Sequence, residues 1–181
     1  MKIIILDRDG VINQDSDNFI KTVDEFIPLP GSVDAIAKLK QAGYKVYIAT
    51  NQSGIKRGLY KEETLHAMHE KLATLLNQHN VEIDGIEFCP HGPDDHCDCR
   101  KPKAGMYLTI AKQAGITDTS EILVVGDSLR DLQAAQSIHA KPHLVRTGKG
   151  ERTINKDEGL NDIPVYNDLS DFVNHLLSKT N

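Results

Sequence analysis

Four apolar residues in a row, Ile3 to Leu6, stand between Lys2 and the charged run Asp7-Arg8-Asp9. A short, unbroken apolar run predicts a strand buried on both faces of a parallel sheet. Pro30-Gly31-Ser32 then opens a helical stretch in which Val33, Ile36 and Leu39 recur every three residues, and Ala42-Gly43 closes it. Tyr44 to Ala49 reads as a second strand. Leu65, Met68, Leu72, Leu75 and Leu76 mark one face of a helix from about Lys61 to His79. Gly85 to Cys89 is a weaker third strand, and Ala104 to Ala114 a helix that stops at Gly115. Ile122 to Gly126 is the clearest strand after the first, ended by Asp127; a helix from Leu129 to about Ser137 leads to a strand around His143 to Arg146. Residues Gly148 to Asn161, rich in Gly, Lys and Glu, read as a surface loop. Val165-Tyr166 precedes a last helix whose apolar positions, Leu169, Phe172, Val173, Leu176 and Leu177, follow i, i+3, i+4, i+7, i+8, with Asp168 as its N-cap.

Strands alternating with helices predict an α/β fold, a doubly wound, mainly parallel sheet with helices on both faces. Ligands of such sheets gather beyond the carboxyl ends of the strands, where the polar residues of this chain fall. No repeat, low-complexity segment or linker divides the 181 residues, so 1–181 read as a single domain. The formal net charge is −5, which gives no electrostatic case for a nucleic-acid or membrane partner. No apolar run approaches the ~18 residues of a membrane span, and no cleavable signal pattern follows Met1; the expectation is a cytoplasmic protein.

Asp7 and Asp9, two apart at a strand end, can bind a hard cation and divide labour as nucleophile and acid/base. A solvated strand end with Arg8 as counter-ion is the plainer alternative. Thr50-Asn51-Gln52-Ser53-Gly54 is a hydroxyl and amide cluster suited to phosphate oxygens, or else a capping turn. Arg100-Lys101-Pro102 puts two cations before a helix, where a fixed ammonium can neutralise a transferring phosphoryl group. Asp127 offers a further oxygen donor for Mg²⁺, or a helix N-cap.

All three cysteines cluster: Cys89-Pro90-His91 is followed by Cys97-Asp98-Cys99. Three thiolates and an imidazole suit tetrahedral, structural Zn²⁺ and predict a zinc-stabilised loop over about 89–103. His96 is a rival to His91 as the fourth ligand. With no position left open for catalysis, the zinc would fold a loop lacking a core and so fix the start of the segment carrying Lys101.

The ordered set Asp7-Arg8-Asp9-Gly10, Thr50, Lys101 and Gly126-Asp127 resembles the haloacid dehalogenase superfamily of phosphatases over most of residues 2 to 150. The resemblance implies a Rossmannoid fold without a large cap domain. It also implies that Asp7 forms an aspartyl-phosphate and Asp9 serves as acid and then base, while Thr50 and Lys101 hold the phosphoryl oxygens. Mg²⁺ would lie between the Asp7 carboxylate, the Asp9 backbone carbonyl and Asp127, with Asp131 orienting from behind. Val11 departs from the Thr that many members carry there. A zinc loop followed by Arg100-Lys101-Pro102 is similar to two groups of that superfamily, the heptose bisphosphate and the histidinol-phosphate phosphatases. Thr50 to Ile55 with Arg57-Gly58, Gly105-Met106, and Leu144 to Gly150 resemble the heptose group; Ser128 departs from it, and the short gap between His91 and Cys97 does not separate the two.

The heptose resemblance implies Mg²⁺-dependent removal of the 7-phosphate of D-glycero-D-manno-heptose 1,7-bisphosphate, a step towards nucleotide-activated heptose and lipopolysaccharide. It further implies that Arg100 selects the substrate, and that Asn51, Gln52, Ser53 and the loop Asp15-Ser16-Asp17-Asn18 face the sugar, though that loop also reads as an ordinary solvated one. The partner expected is a small phosphorylated sugar met by a monomer. A phospho-receiver or phosphate-binding module is the reading from another class, and the placement of Asp7 and Asp9 on the first strand rather than a middle one counts against it.

Overall fold

The computed structural model describes residues 1–179. Six strands form one sheet: β1 (Ile3–Leu6), β2 (Lys45–Asn51), β3 (Gly85–Cys89), β4 (Leu123–Gly126), β5 (Lys141–Val145) and β6 (Val165–Tyr166). Their order is β3-β2-β1-β4-β5-β6 and every pairing is parallel. The order reverses between β1 and β4, which makes the crevice above their carboxyl ends the place where such sheets bind ligands.

Alternation within the central strand explains the two cores. Ile4 and Leu6 face one side with Val46 and Ile48, under α1 (Ser32–Gln41), α2 (Glu62–Asn77) and α6 (Leu169–Ser178). Ile3 and Ile5 face the other with Ala49 and Val124, under α3 (Gly105–Gln113) and α4 (Leu129–Ser137). All four β1 side chains are buried, each burial contributing about 1.5–3 kcal/mol. A strand covered on both faces has no use for polar residues, hence the unbroken apolar run. Asp168 caps α6 by accepting from the Asp171 N–H at 2.8 Å.

The sequence reading needs three corrections. β2 runs on through Thr50 and Asn51, since Thr50 pairs with Phe88 and Asn51 with Cys89, so these two residues close a strand rather than open a loop. The 148–161 stretch read as a loop contains α5 (Gly150–Lys156). Its apolar periodicity is absent because it buries only Gly150 and Thr153, Thr153 by donating its hydroxyl to the Asp127 carbonyl at 2.9 Å. A single 3-10 turn, Thr119–Glu121, also precedes β4. As expected, no cap domain interrupts the fold among the described residues; segments 7–31 and 90–104 are irregular loops.

The buried side of α2 brings His69 to the strand end. Its Nε2 lies 3.4 Å from Nη1 of the fully buried Arg8. A guanidinium only donates, so the imidazole accepts and is neutral. Burial, with Arg8 and His66, lowers its pKa from 6.5 to about 3. The unfolded chain therefore takes up a proton below 6.5 that the native state refuses until about 3, and stability falls as pH drops through that window. Urea midpoints at pH 7 and pH 5 should show a loss that His69→Gln, which keeps an acceptor for Arg8 but cannot charge, reduces by about 1–2 kcal/mol; an unchanged pH dependence in the variant would contradict this.

Candidate active site

Three parallel strands deliver the key side chains to one cleft of about 240 Å³. Asp7 follows β1 directly, its N–H bonded to the Val125 carbonyl of β4 at 2.9 Å. Thr50 stands near the end of β2, fully buried, and Asp127 follows β4. Lys101 reaches in from the segment after the cysteine loop. Its ammonium lies 2.9 Å from Asp7 Oδ1 and 2.6 Å from Asp131 Oδ1, and donates to the Ala49 carbonyl at 2.8 Å. Burial works against this cation, but Asp131 and Asp7 outweigh it and raise the pKa, so Lys101 is charged.

Carboxylate oxygens of Asp7, Asp127 and Asp131 lie within 4.8 Å of one another. Burial, then Asp131, raises the Asp7 carboxyl to about 7 against the pull of Lys101, with Asp9 adding to the rise. Burial, with Asp7 and Asp131, holds Asp127 well above the usual range. Three crowded acids and one ammonium leave an excess of negative charge that a hard divalent cation would neutralise, and hard oxygen donors are what Mg²⁺ takes. The donor set fits the ion.

Close backbone packing makes room for these acids. A Cβ on Gly10 would fall 2.0 Å from Asp127 Oδ2 and one on Gly148 2.2 Å from it, and both residues have positive φ, at 86° and 59°. The helix-cap alternative for Asp127 gives way to Ser128 and Asp131. Ser128 is the N-cap of α4, and Asp131 Oδ2 accepts from its N–H at 3.1 Å and its hydroxyl at 2.9 Å. Asp127 Oδ2 instead accepts from the Lys149 N–H at 2.7 Å.

Asp9 is kept apart from that cluster. Arg8 is its counter-ion, as the plainer reading had it, yet Arg8 is wholly buried rather than solvated. Burial raises the Asp9 carboxyl, but Arg8 and the hydrogen bonds from Asn13 and Gln52 outweigh it and hold it below the usual range.

Asp15, Ser16, Asp17, Asn51, Gln52, Ser53 and Arg100 line the same cleft. Asn18 does not. Its N–H bonds Ser16 Oγ at 3.1 Å within a turn closed by Phe19 N–H to the Ser16 carbonyl, and Asn18 is exposed while Phe19 and Ile20 line the cleft. Asn51 has both ends of its amide on the Lys101 backbone, at 3.0 and 3.1 Å, so it joins β2 to the segment carrying the lysine. Asp15 pairs with Lys149 at 2.8 Å and Asp17 with Arg152 at 2.7 Å, binding the loop across the mouth to the start of α5. Sequence reasoning missed Arg130, Lys149 and Tyr60 as lining residues; Arg57 is exposed and borders the cleft, with Phe19 5.5 Å beneath it.

The cysteine cluster forms as expected. Cys89, His91, Cys97 and Cys99 place their donor atoms within 4.8 Å of one another, and all three thiols are free. Sγ of Cys89 is 3.0 Å from that of Cys99 and 3.6 Å from that of Cys97, and His91 Nδ1 is 3.3 Å from Cys99 Sγ. Zn–S bonds of about 2.3 Å put tetrahedral ligands at comparable separations, so the donors fit zinc. His91 takes the fourth place; His96 lines a neighbouring cleft.

A family model for haloacid dehalogenase-like hydrolases matches residues 6–139. The chain belongs to the haloacid dehalogenase-like hydrolases. Among similar members, D-glycero-beta-D-manno-heptose-1,7-bisphosphate 7-phosphatase from Pseudomonas putida is 56% identical over 86% of this chain and 89% of its own length. The protein of that name from Neisseria meningitidis is 50% identical over 99% and 96%. The D,D-heptose 1,7-bisphosphate phosphatase of B. bronchiseptica, solved with magnesium and phosphate, superposes with a TM-score of 0.95 at 50% identity, covering 99% of both chains. As a member of this family the chain is a hydrolase, which sets aside the receiver reading.

The crowding of acids in this hydrolase has a thermodynamic signature. Asp127→Asn relieves like-charge repulsion and retains an acceptor for the Lys149 N–H. It should raise the Tm of the metal-free protein by about 2–4 °C and abolish the further rise that Mg²⁺ gives the wild type. Scanning calorimetry with and without Mg²⁺ decides it, and a lower metal-free Tm in the variant would count against the electrostatic account.

Proposed function

We propose that this hydrolase removes the 7-phosphate of D-glycero-D-manno-heptose 1,7-bisphosphate, leaving heptose 1-phosphate. The observation that carries the reading is that relatives 50–56% identical over most of the chain bear this one name. The cleft supports it: an open site without a cap domain, rimmed by Arg57, Arg100 and Arg130, suits a small substrate with a second anionic group. The β anomer is the expected form, after the names of the relatives.

In this reading the Asp7 carboxylate attacks phosphorus. The P–O bond to the sugar breaks, Asp9 gives the departing oxygen a proton, and an aspartyl-phosphate forms on Asp7. Asp9 then takes a proton from the water that attacks the phosphoryl group and frees Asp7 and phosphate. Thr50 and Lys101 hold the phosphoryl oxygens. Asp7, Asp127 and the Asp9 carbonyl would hold Mg²⁺, which when bound neutralises phosphoryl charge. Asp131 has one carboxylate oxygen on Lys101 and the other on Ser128, which suits an orienting part. Gln52, Ser53, Arg100, Asp15, Ser16 and Asp17 face the sugar. Every named group comes from one chain, so a monomer suffices, and reduced thiols at the zinc loop fit the cytoplasm. Residues 1–181 act as one phosphatase domain. No helix among the described residues is long and apolar enough to cross a membrane.

Phosphate release from the heptose bisphosphate and from histidinol phosphate, measured side by side with Mg²⁺, should give a higher kcat/KM for the bisphosphate by at least about tenfold, since a polar group matched to its partner discriminates by more than that; preference for histidinol phosphate would overturn the substrate. Zinc is tested separately. Cys97→Ala should lose bound zinc and activity together, with KM and kcat both affected as Lys101 shifts, whereas full activity in a zinc-free variant would remove zinc from the account.

A further inference from the structure

The two oxygens of Asp9 are not equivalent. Oδ1 accepts from Arg8 Nε at 2.9 Å, Arg8 Nη2 at 2.7 Å and Asn13 Nδ2 at 2.9 Å, which saturates it. Oδ2 accepts from Gln52 Nε2 at 3.1 Å alone among the described residues, so it is the oxygen with capacity to carry a proton. The same Gln52 NH₂ donates to Thr50 Oγ1 at 2.9 Å. A carboxylate takes only donors, so the amide must present its nitrogen to Asp9 and turn its Oε1 the other way. There Oε1 meets the hydroxyl of Tyr60, which donates to it. Without that hydroxyl the amide is held by Asp9 and Thr50 alone, and once Oδ2 of Asp9 carries a proton the amide is free to turn its oxygen round and accept that proton.

The backbone is shaped for this phenol. Tyr60 is buried, and its ring lies against Gly54, where an added Cβ would fall 2.3 Å from Tyr60 Cε1. Gly54 has no positive φ, so close approach of the ring accounts for the glycine. Leu59 N–H to the Gly54 carbonyl at 2.9 Å and Gly58 N–H to the Ile55 carbonyl at 3.0 Å fold the connecting segment back, bringing Tyr60 over the strand end.

We propose that Tyr60 is a positioning residue: by orienting the Gln52 amide it aims Oδ2 of Asp9 at the oxygen that leaves with the sugar. The inference rests on the acid/base part given to Asp9 above. Tyr60 touches neither Lys101 nor the three-carboxylate cluster in any of the contacts described, and its one link to the phosphoryl-binding groups is the bond from Gln52 to Thr50 Oγ1.

Esters with different leaving groups test it. An alkyl oxygen needs a proton to depart, whereas 4-nitrophenolate does not, and kcat/KM reports the steps up to the first P–O cleavage. Tyr60→Phe, which keeps the ring, should lower kcat on heptose bisphosphate about tenfold with KM unchanged, and lower kcat/KM for 4-nitrophenyl phosphate less than about twofold. Gln52→Ala should lose at least as much on the sugar ester, and adding Tyr60→Phe to it should cost nothing more. Equal losses on both esters, additive losses in the double variant, or no loss in Tyr60→Phe would each overturn the inference. Turnover of heptose bisphosphate by the wild type tests the substrate reading independently; if another alkyl phosphate is the better substrate, the comparison with 4-nitrophenyl phosphate is made on that ester.

Discussion

A single buried ammonium governs the site. Lys101, 2% exposed, is held between Asp7 and Asp131, and burying a cation at that depth requires opposing charge at contact distance. Meeting that requirement ties together the end of β1, the first turn of α4 and the segment that follows the cysteine loop. Asn51 reinforces the junction from β2 by clasping the Lys101 backbone with both ends of its amide. Asp127 completes an excess of acid over base that the folded chain tolerates because a divalent cation answers it. Stability without metal is thus traded for a site prepared to receive metal and phosphate.

The cysteine loop belongs to the same economy of placement. Segment 90–104 has no regular structure and little apolar surface, so burial alone cannot fix it. Three thiols and an imidazole brought together there would do so on binding zinc, starting at Cys89 on the end of β3, whose carbonyl accepts the Gln52 N–H at 2.7 Å. Gly105 allows the loop to close tightly: a Cβ there would lie 2.3 Å from the Asp98 carbonyl oxygen. The loop therefore reaches the cleft at Arg100 and Lys101 from an anchored base.

What the sequence made legible follows the physics of each part. Ile3–Leu6 and the run ending at Gly126 announced themselves because strands covered on both faces are apolar throughout, and α6 because half-buried helices keep a 3.6-residue period. Asp7, Thr50 and Asp127 at or beside strand ends, with Lys101 from the segment after the cysteine loop, were legible as an ordered set. Helix α5 was not, since its role is polar: Thr153 supports Asp127 rather than a core. Asn18 lies outside the cleft although Phe19 and Ile20 line it, and nothing in the side-chain pattern marks which residues of that loop turn inward. Tyr60 and Lys149 were not legible as lining residues, because backbone folding brings each to the cleft, although Lys149 lies within the Leu144 to Gly150 segment that resembles the heptose group. Arg8 was recognised as a counter-ion, but its full burial depends on Met68, His69 and Phe26 from elements distant in sequence.

The most direct test of the central claim is to quench the enzyme in steady-state turnover with acid, reduce acyl phosphate with borohydride and locate the modified residue by mass spectrometry. An aspartyl-phosphate beside Lys101 predicts modification at Asp7 alone, dependent on substrate and Mg²⁺. Modification at Asp9 or Asp127 instead, or sustained turnover with Asp7 unmodified and replaceable by Asn without loss, would contradict the account.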